Sequence, residues 1–203
     1  IERADVVIDF SSHTSSLENL QVAAEHGKAI VIGSTGFTAD EMKDVVRICQ
    51  EARCVLAPNM SVGVNVMFKV LKDLASILGD EYDVEISETH HNQKKDAPSG
   101  TAVKMAQIVA EALDRDIEKV GVYGRKGMVG ARPQGEIGVH TVRAGDIVGE
   151  HTVLFGGMGE RLEFTHRAHS RDNFARGALR AALWIVDRDN GLYDMQDVLG
   201  LKG

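Results

Sequence analysis

Ala4-Asp-Val-Val-Ile-Asp-Phe10, Ala29-Ile-Val-Ile32 and Cys54-Val-Leu-Ala57 are three short runs rich in β-branched residues. Each is apolar almost without alternation, the pattern of a parallel strand covered on both faces. The segments between them read as helices. Ser15 and Glu18 have capping-box spacing, Leu17, Leu20 and Ala24 share one face, and Gly27 suits the position just past a helix end. Thr38 and Glu41 repeat the capping box, followed by Met42, Val45, Val46 and Cys49. Residues 1–60 therefore alternate β-α-β-α-β, half of a doubly wound α/β sheet with right-handed crossovers.

Beyond residue 60 the pattern changes. Val64, Met67, Phe68, Leu71, Leu74, Ala75 and Leu78 predict a long amphipathic helix. Residues 83–91 read as a strand and 99–113 as a helix. From 120 to 169 the chain is strand-rich, over 137–142, 150–155 and 161–169, with Gly156-Gly-Met-Gly159 as a hairpin turn. A last helix is predicted from Asn173 to about Asp187. Strands in series with one or two helices indicate an α+β part with an open mixed sheet, able to pack on itself or on a partner. The Gly/Arg-rich stretch 124–135 is expected to be a mobile loop.

A net charge of -7 argues against a general nucleic-acid-binding surface, so basic groups that matter must be placed locally. No apolar run approaches the ~20 residues of a membrane span. The residues present carry no secretory-signal pattern. Cys49 and Cys54 lack metal-ligand spacing and read as two buried free thiols of a reducing, cytoplasmic setting. The chain opens on Ile1, close to a central strand, and an earlier segment is expected to precede it.

The chemistry concentrates in Glu88-Thr-His-His-Asn-Gln-Lys-Lys-Asp-Ala-Pro-Ser-Gly-Thr101. His90 and His91 close a strand and point to opposite faces, and an imidazole near its ordinary pKa can give or take a proton at neutral pH. Lys94 could clamp a carboxylate, or form a Schiff base if desolvated; Lys95 is the more expendable. Pro98-Ser-Gly-Thr101 opens a helix whose first amides and positive dipole end suit an anion, or need only the ordinary cap of Ser99. Gly33-Ser-Thr-Gly36 and Ala57-Pro-Asn-Met60 lie at strand ends on the carboxyl edge of the sheet, where such folds bind ligands. Asn59 could orient an amide or a ribose there, and Met60 could pack on a flat ring. A full Gly-x-Gly-x-x-Gly fingerprint is not present. Arg171 or Arg176 could reach a phosphate or carboxylate. Arg143 and Asp146 read as a charged turn, and Glu150 or His151 as structural or subunit-contact residues, without assigned chemistry.

These stretches resemble the 4-hydroxy-tetrahydrodipicolinate reductase (dihydrodipicolinate reductase) family of lysine biosynthesis. The matching segments are Val31–Phe37, Asn59–Met67, Glu88–Thr101, Val142–Thr152 and Gly177–Leu183. The resemblance implies a partial Rossmann-like nucleotide-binding domain over 1–60, a substrate-binding and tetramerisation domain over 61–170, and a segment 171–203 returning to the first. It implies a cytoplasmic homotetramer that uses NADH or NADPH to reduce a small cyclic dicarboxylate of the diaminopimelate route. It assigns His90 as general acid and Lys94 as a proton donor or hydrogen-bonding partner of the substrate. His91, Gly100 and Thr101 would hold the substrate's carboxylates. Gly33, Ser34, Thr35, Ala57, Pro58, Asn59, Met60 and Arg171 would line the cofactor. The family usually has a basic residue where Asn92 or Gln93 stands, and its Gly-rich pyrophosphate loop is not among these residues. Two other classes fit the residues: a Schiff-base lyase using Lys94, and a non-catalytic oligomerising fragment.

Overall fold

The computed structural model describes residues 1–202. In chain order its elements are β1 (Val6–Asp9), α1 (His13–Glu25), β2 (Ala29–Ile32), α2 (Ala39–Ile48), β3 (Arg53–Leu56), α3 (Val62–Leu78) and β4 (Asp83–His90). They continue with α4 (Gly100–Ala112), α5 (Ile117–Val120), β5 (Gly121–Val122), β6 (Ile137–Arg143), β7 (Gly149–Gly156), β8 (Arg161–Ala168), α6 (Asp172–Ile185), β9 (Gly191–Tyr193) and α7 (Met195–Val198). The chain divides into two compact units, residues 1–65 with those from Asp172 onward, and residues 66–171.

The first unit is a parallel sheet in the order β1-β2-β3-β9. Alternate side chains of β2 serve two cores. Ala29 and Val31 join Val55, Ala178, Ala181 and Ile185 beneath α6. Ile30 and Ile32 join Leu20, Ala23, Val45 and Ile48 beneath α1 and α2. Each large apolar side chain so buried contributes about 1.5–3 kcal/mol, which is why the runs could be apolar without alternation. Thr38 and Glu41 form the expected capping box. The cap of α1 is Ser12 rather than Ser15: the helix starts at His13, and the Ser15 amide donates to the Ser12 hydroxyl. Strand β9 was not legible, because three residues, Gly-Leu-Tyr, carry no periodicity; its Gly191 amide continues the ladder onto the Ala52 carbonyl.

The second unit is a five-stranded mixed sheet in the order β5-β6-β4-β7-β8, with β4 parallel to β6 and antiparallel to β7. The period of two along β4 turns Val84, Ile86, Glu88 and His90 to one buried face. Helix α4 packs on β4 and β6, burying Met105, Ala106 and Val109. The hairpin between β7 and β8 pairs Gly156 with Arg161 as its turn residues require. The Gly/Arg-rich stretch after β5, expected as a mobile loop, is tied to the sheet. Arg125 and Arg132 both donate to Glu85, and Arg132 also reaches Asp83. These cations and His140 outweigh the burial of Glu85 and hold its carboxyl at about 2.

Candidate active site

In the second unit three neighbouring strands and the start of α4 converge on one carboxylate. Glu88 is fully buried. Its carboxylate receives the His90 Nδ1 at 2.5 Å, Arg143 Nη1 and Nη2 at 2.9 Å each, and the Ser99 amide at 3.0 Å. Burial alone would raise its pKa, but Arg143, His90 and the Ser99 amide together outweigh burial and hold it below the ordinary value. Strand register explains the meeting: His90 lies opposite Arg143 on β6, and Glu88 opposite His151 on β7.

The His90 ring is buried and shows Nε2 toward Gly149, where an added Cβ would stand 3.0 Å from that nitrogen. Its proton affinity is lowered, first by burial and then by the charges of Lys94 and Arg143, against the pull of Glu88. His151 lies edge-on to it, with ring centroids 5.1 Å apart. Burial, with His90 adding, pushes the His151 imidazole down to about 3, so it stays neutral. Its Nε2 meets the Ser99 hydroxyl at 3.0 Å, and that hydroxyl also accepts the Ala102 amide as the cap of α4.

The loop from His91 to Ser99 is tied down at both ends. The Asn92 amide donates to the Gly145 carbonyl at 3.1 Å, and Arg143 Nη2 donates to the Asp96 carbonyl at 2.7 Å. Lys94 lies 2.8 Å from Asp96, which it helps keep ionised, and its charge reaches His90. His91 is half-buried, with Nε2 3.4 Å from the Arg171 guanidinium. Arg171 therefore belongs with the second unit, beside a residue expected to hold substrate. Gly100 and Thr101 are the first residues of α4, and a Cβ at Gly100 would meet nothing within 4 Å.

In the first unit, the register Asp9–Ile32–Leu56 brings Gly33 and Ala57 level at the carboxyl edge. A Cβ at Gly33 would fall 2.2 Å from the ring of the exposed Phe10, which would have to turn away to admit it. Ser34 is buried and receives the Ser16 hydroxyl at 2.8 Å, which fixes the turn, while Thr35 and Pro58 are exposed. Asn59 turns its Oδ1 onto the Ser61 amide at 2.9 Å. The Met60 side chain lies in the core beneath α6, so it does not offer itself to a flat ring as expected; α6 approaches so closely that a Cβ on Gly177 would stand 1.7 Å from the Met60 carbonyl oxygen. The turn 33–35 and Pro58–Asn59 lie at the carboxyl ends of two neighbouring parallel strands, with Thr35 and Pro58 exposed.

Reading the residues alone missed Glu88, Arg143 and His151. The signal for the first was available: Glu-x-His on a strand places both side chains on one face. Arg143 and His151 gave none, because their roles come from pairing with Glu88 on β4 across 55 and 63 residues of chain, which only the sheet supplies.

Two family models match in succession, dihydrodipicolinate reductase N-terminus over residues 1–60 and dihydrodipicolinate reductase C-terminus over 63–199. The 4-hydroxy-tetrahydrodipicolinate reductase of Syntrophus aciditrophicus is 65% identical over 202 residues, covering 100% of this chain and 75% of that protein. That of Geobacter sulfurreducens is 62% identical over 202 residues, covering 100% and 76%. A solved structure, dipicolinate-bound dihydrodipicolinate reductase from Paenisporosarcina sp. TG-14, superposes with a TM-score of 0.74 at 27% identity, covering 96% of this chain and 73% of that one. With both models matched in order and relatives of this identity along its whole length, the chain belongs to the dihydrodipicolinate reductase family.

Proposed function

We propose that the chain reduces 4-hydroxy-tetrahydrodipicolinate to tetrahydrodipicolinate with loss of water, using NADH or NADPH, in the diaminopimelate route to lysine. Family membership supports the reaction, and the dipicolinate held by the Paenisporosarcina enzyme supports a cyclic dicarboxylate as its substrate class. One observation carries the assignment of the proton donor: His90 turns Nδ1 onto a buried carboxylate and Nε2 the other way, toward Gly149.

The reduced nicotinamide supplies the hydride. The residues of this chain do the rest. The start of α4 at Gly100 and Thr101, with His91, holds the substrate's carboxylates through amides, imidazole and the helix dipole. Lys94 adds a positive charge that stabilises the negative charge developing on the conjugated ring as hydride arrives. His90 Nε2 then gives its proton to the ring. A dianionic substrate beside His90 favours the imidazolium, so binding charges the acid when it is needed. Gly33, Ser34, Thr35, Ala57, Pro58 and Asn59 line the nucleotide, Met60 through its backbone only, and Arg171 assists near the substrate end. The pairing of Lys94 with Asp96 suits a cationic clamp better than the neutral amine of a Schiff-base lyase.

A homotetramer formed through the sheet of the second unit, in the cytoplasm, completes the reading. The tetramer reading rests on the open five-stranded sheet that the family resemblance assigns to assembly, and the cytoplasmic reading on the two free cysteines. No helix among the described residues is long and apolar enough to cross a membrane. The test is the absorbance of the reduced nicotinamide after addition of the pathway substrate. Substrate-dependent loss is expected; no loss with either nucleotide, or a borohydride-trapped adduct on Lys94, contradicts the proposal. Light scattering that gives anything but four copies contradicts the assembly.

A further inference from the structure

We propose that Glu88 is the positioning residue of the proton donor: clamped by Arg143 and the Ser99 amide, its carboxylate fixes the His90 ring with Nδ1–H inward, making Nε2 the nitrogen that delivers the proton. The inference rests on the reading of His90 as that donor.

Glu88 cannot itself meet substrate. It is fully buried, and four donors already occupy its two oxygens, His90 Nδ1 and Arg143 Nη1 on Oε2, Arg143 Nη2 and the Ser99 amide on Oε1. An ionised carboxylate only accepts hydrogen bonds, so the imidazole nitrogen facing it must carry a hydrogen. The neutral ring then has its lone pair on Nε2, beside Gly149. In the transfer, the Nε2–H bond of the imidazolium breaks as a C–H bond forms on the reduced ring. The electron pair of that N–H bond stays on Nε2, and neutral Nδ1–H imidazole is restored, to be recharged from solvent. The same carboxylate holds the Ser99 amide, one residue before the start of α4, so proton donor and anion site share one anchor.

The charged and titratable groups facing His90 come from every element around it. Glu88 lies on its own strand, Arg143 on β6, His151 on β7 with His166 beside it on β8, and Lys94 in the following loop, while α4 contributes the uncharged Ser99. Of these groups Glu88 alone favours the imidazolium. A variant lacking that charge therefore loses the acid form at lower pH than the parent does.

The experiment is Glu88→Gln, nearly the same size, assayed across pH. At pH 8 kcat should fall about 10–100-fold with KM changed less than about threefold. The deficit should shrink as pH falls, because the basic limb of the kcat profile moves to lower pH. A loss of equal size at every pH, the mark of a merely structural role, overturns the proposal, as does no loss. Should Glu88→Gln fail to fold, 15N-histidine spectra of the parent protein decide, with His90 assigned by loss of its signals in His90→Gln. Above its transition, His90 should show protonated Nδ1 and bare Nε2, and the opposite tautomer overturns the proposal. An unchanged kcat in His90→Gln alongside the expected tautomer would instead mean that the proton-donor reading has failed while the positioning geometry stands.

Discussion

Replacing Arg143 by Met keeps an unbranched apolar stem but removes the cation that makes the burial of Glu88 tolerable. Arg143 gives two hydrogen bonds to the carboxylate and two more to the carbonyls of Val142 and Asp96, with its side chain only 19% exposed. Breaking a buried ion pair from one side costs about 3–5 kcal/mol. His90 and the Ser99 amide still reach Glu88, so we expect less than that range, about 2–3 kcal/mol at pH 8. For a unit of about a hundred residues that lowers the melting temperature by roughly 10–20 °C. The sign with pH follows from the Glu88 carboxyl. In the parent its folded pKa lies below the ordinary 4.5, so its contribution is present above that value and lost as pH falls through the folded pKa. In Arg143→Met burial prevails and the folded pKa rises above the unfolded one. The contribution is then present below the unfolded value and lost as pH rises. Protonation of Glu88 or of His90 relieves the variant, and both follow acidification. Thermal unfolding of parent and variant, followed by circular dichroism at pH 5 and pH 8, should show the larger gap at pH 8. A gap under about 0.5 kcal/mol, or one equal at both pH values, refutes the reasoning.

Gly100→Ala should leave stability within about 1 kcal/mol of the parent, since the new methyl meets open space, yet raise KM for the dicarboxylate severalfold if the ligand sits against the start of α4; unchanged KM removes Gly100 from the site. Gly177→Ala forces a methyl onto the Met60 carbonyl and should destabilise the first unit by about 1–3 kcal/mol, measured by denaturant unfolding, where an unshifted midpoint contradicts the packing. Lys94→Ala should lower kcat and raise KM together, because a lysine clamp binds the ground state as well as the developing charge; steady-state kinetics showing a change in KM alone would confine Lys94 to binding.

The first unit was almost wholly legible because its strands are covered on both faces, so that runs such as Ala29-Ile-Val-Ile32 announce themselves, and because Thr38–Glu41 is a local hydrogen-bonding pattern. What escaped notice was short or non-local. Strand β9 is held by the ladder of β3, not by its own three residues. Ser12 took the cap expected of Ser15, since several hydroxyls in a row leave the choice to packing, where Ser16 turns inward to Ser34. In the site, His90, Lys94 and the start of α4 stood out because chemistry-bearing residues crowd a few positions. Arg143 and His151 read as bland, and only the alignment of β6 and β7 against β4 turns them into partners of Glu88 and Ser99. Met60 stood in a motif at the right edge, but its side chain was claimed by the core.

The role proposed for His90 is delivery of the proton in a nicotinamide-dependent reduction. Steady-state oxidation of the reduced cofactor by His90→Gln, with substrate varied at saturating nucleotide, tests it most directly. The expected result is a kcat lowered by about 100-fold or more with KM within a few-fold of the parent. A kcat equal to that of the parent would contradict it.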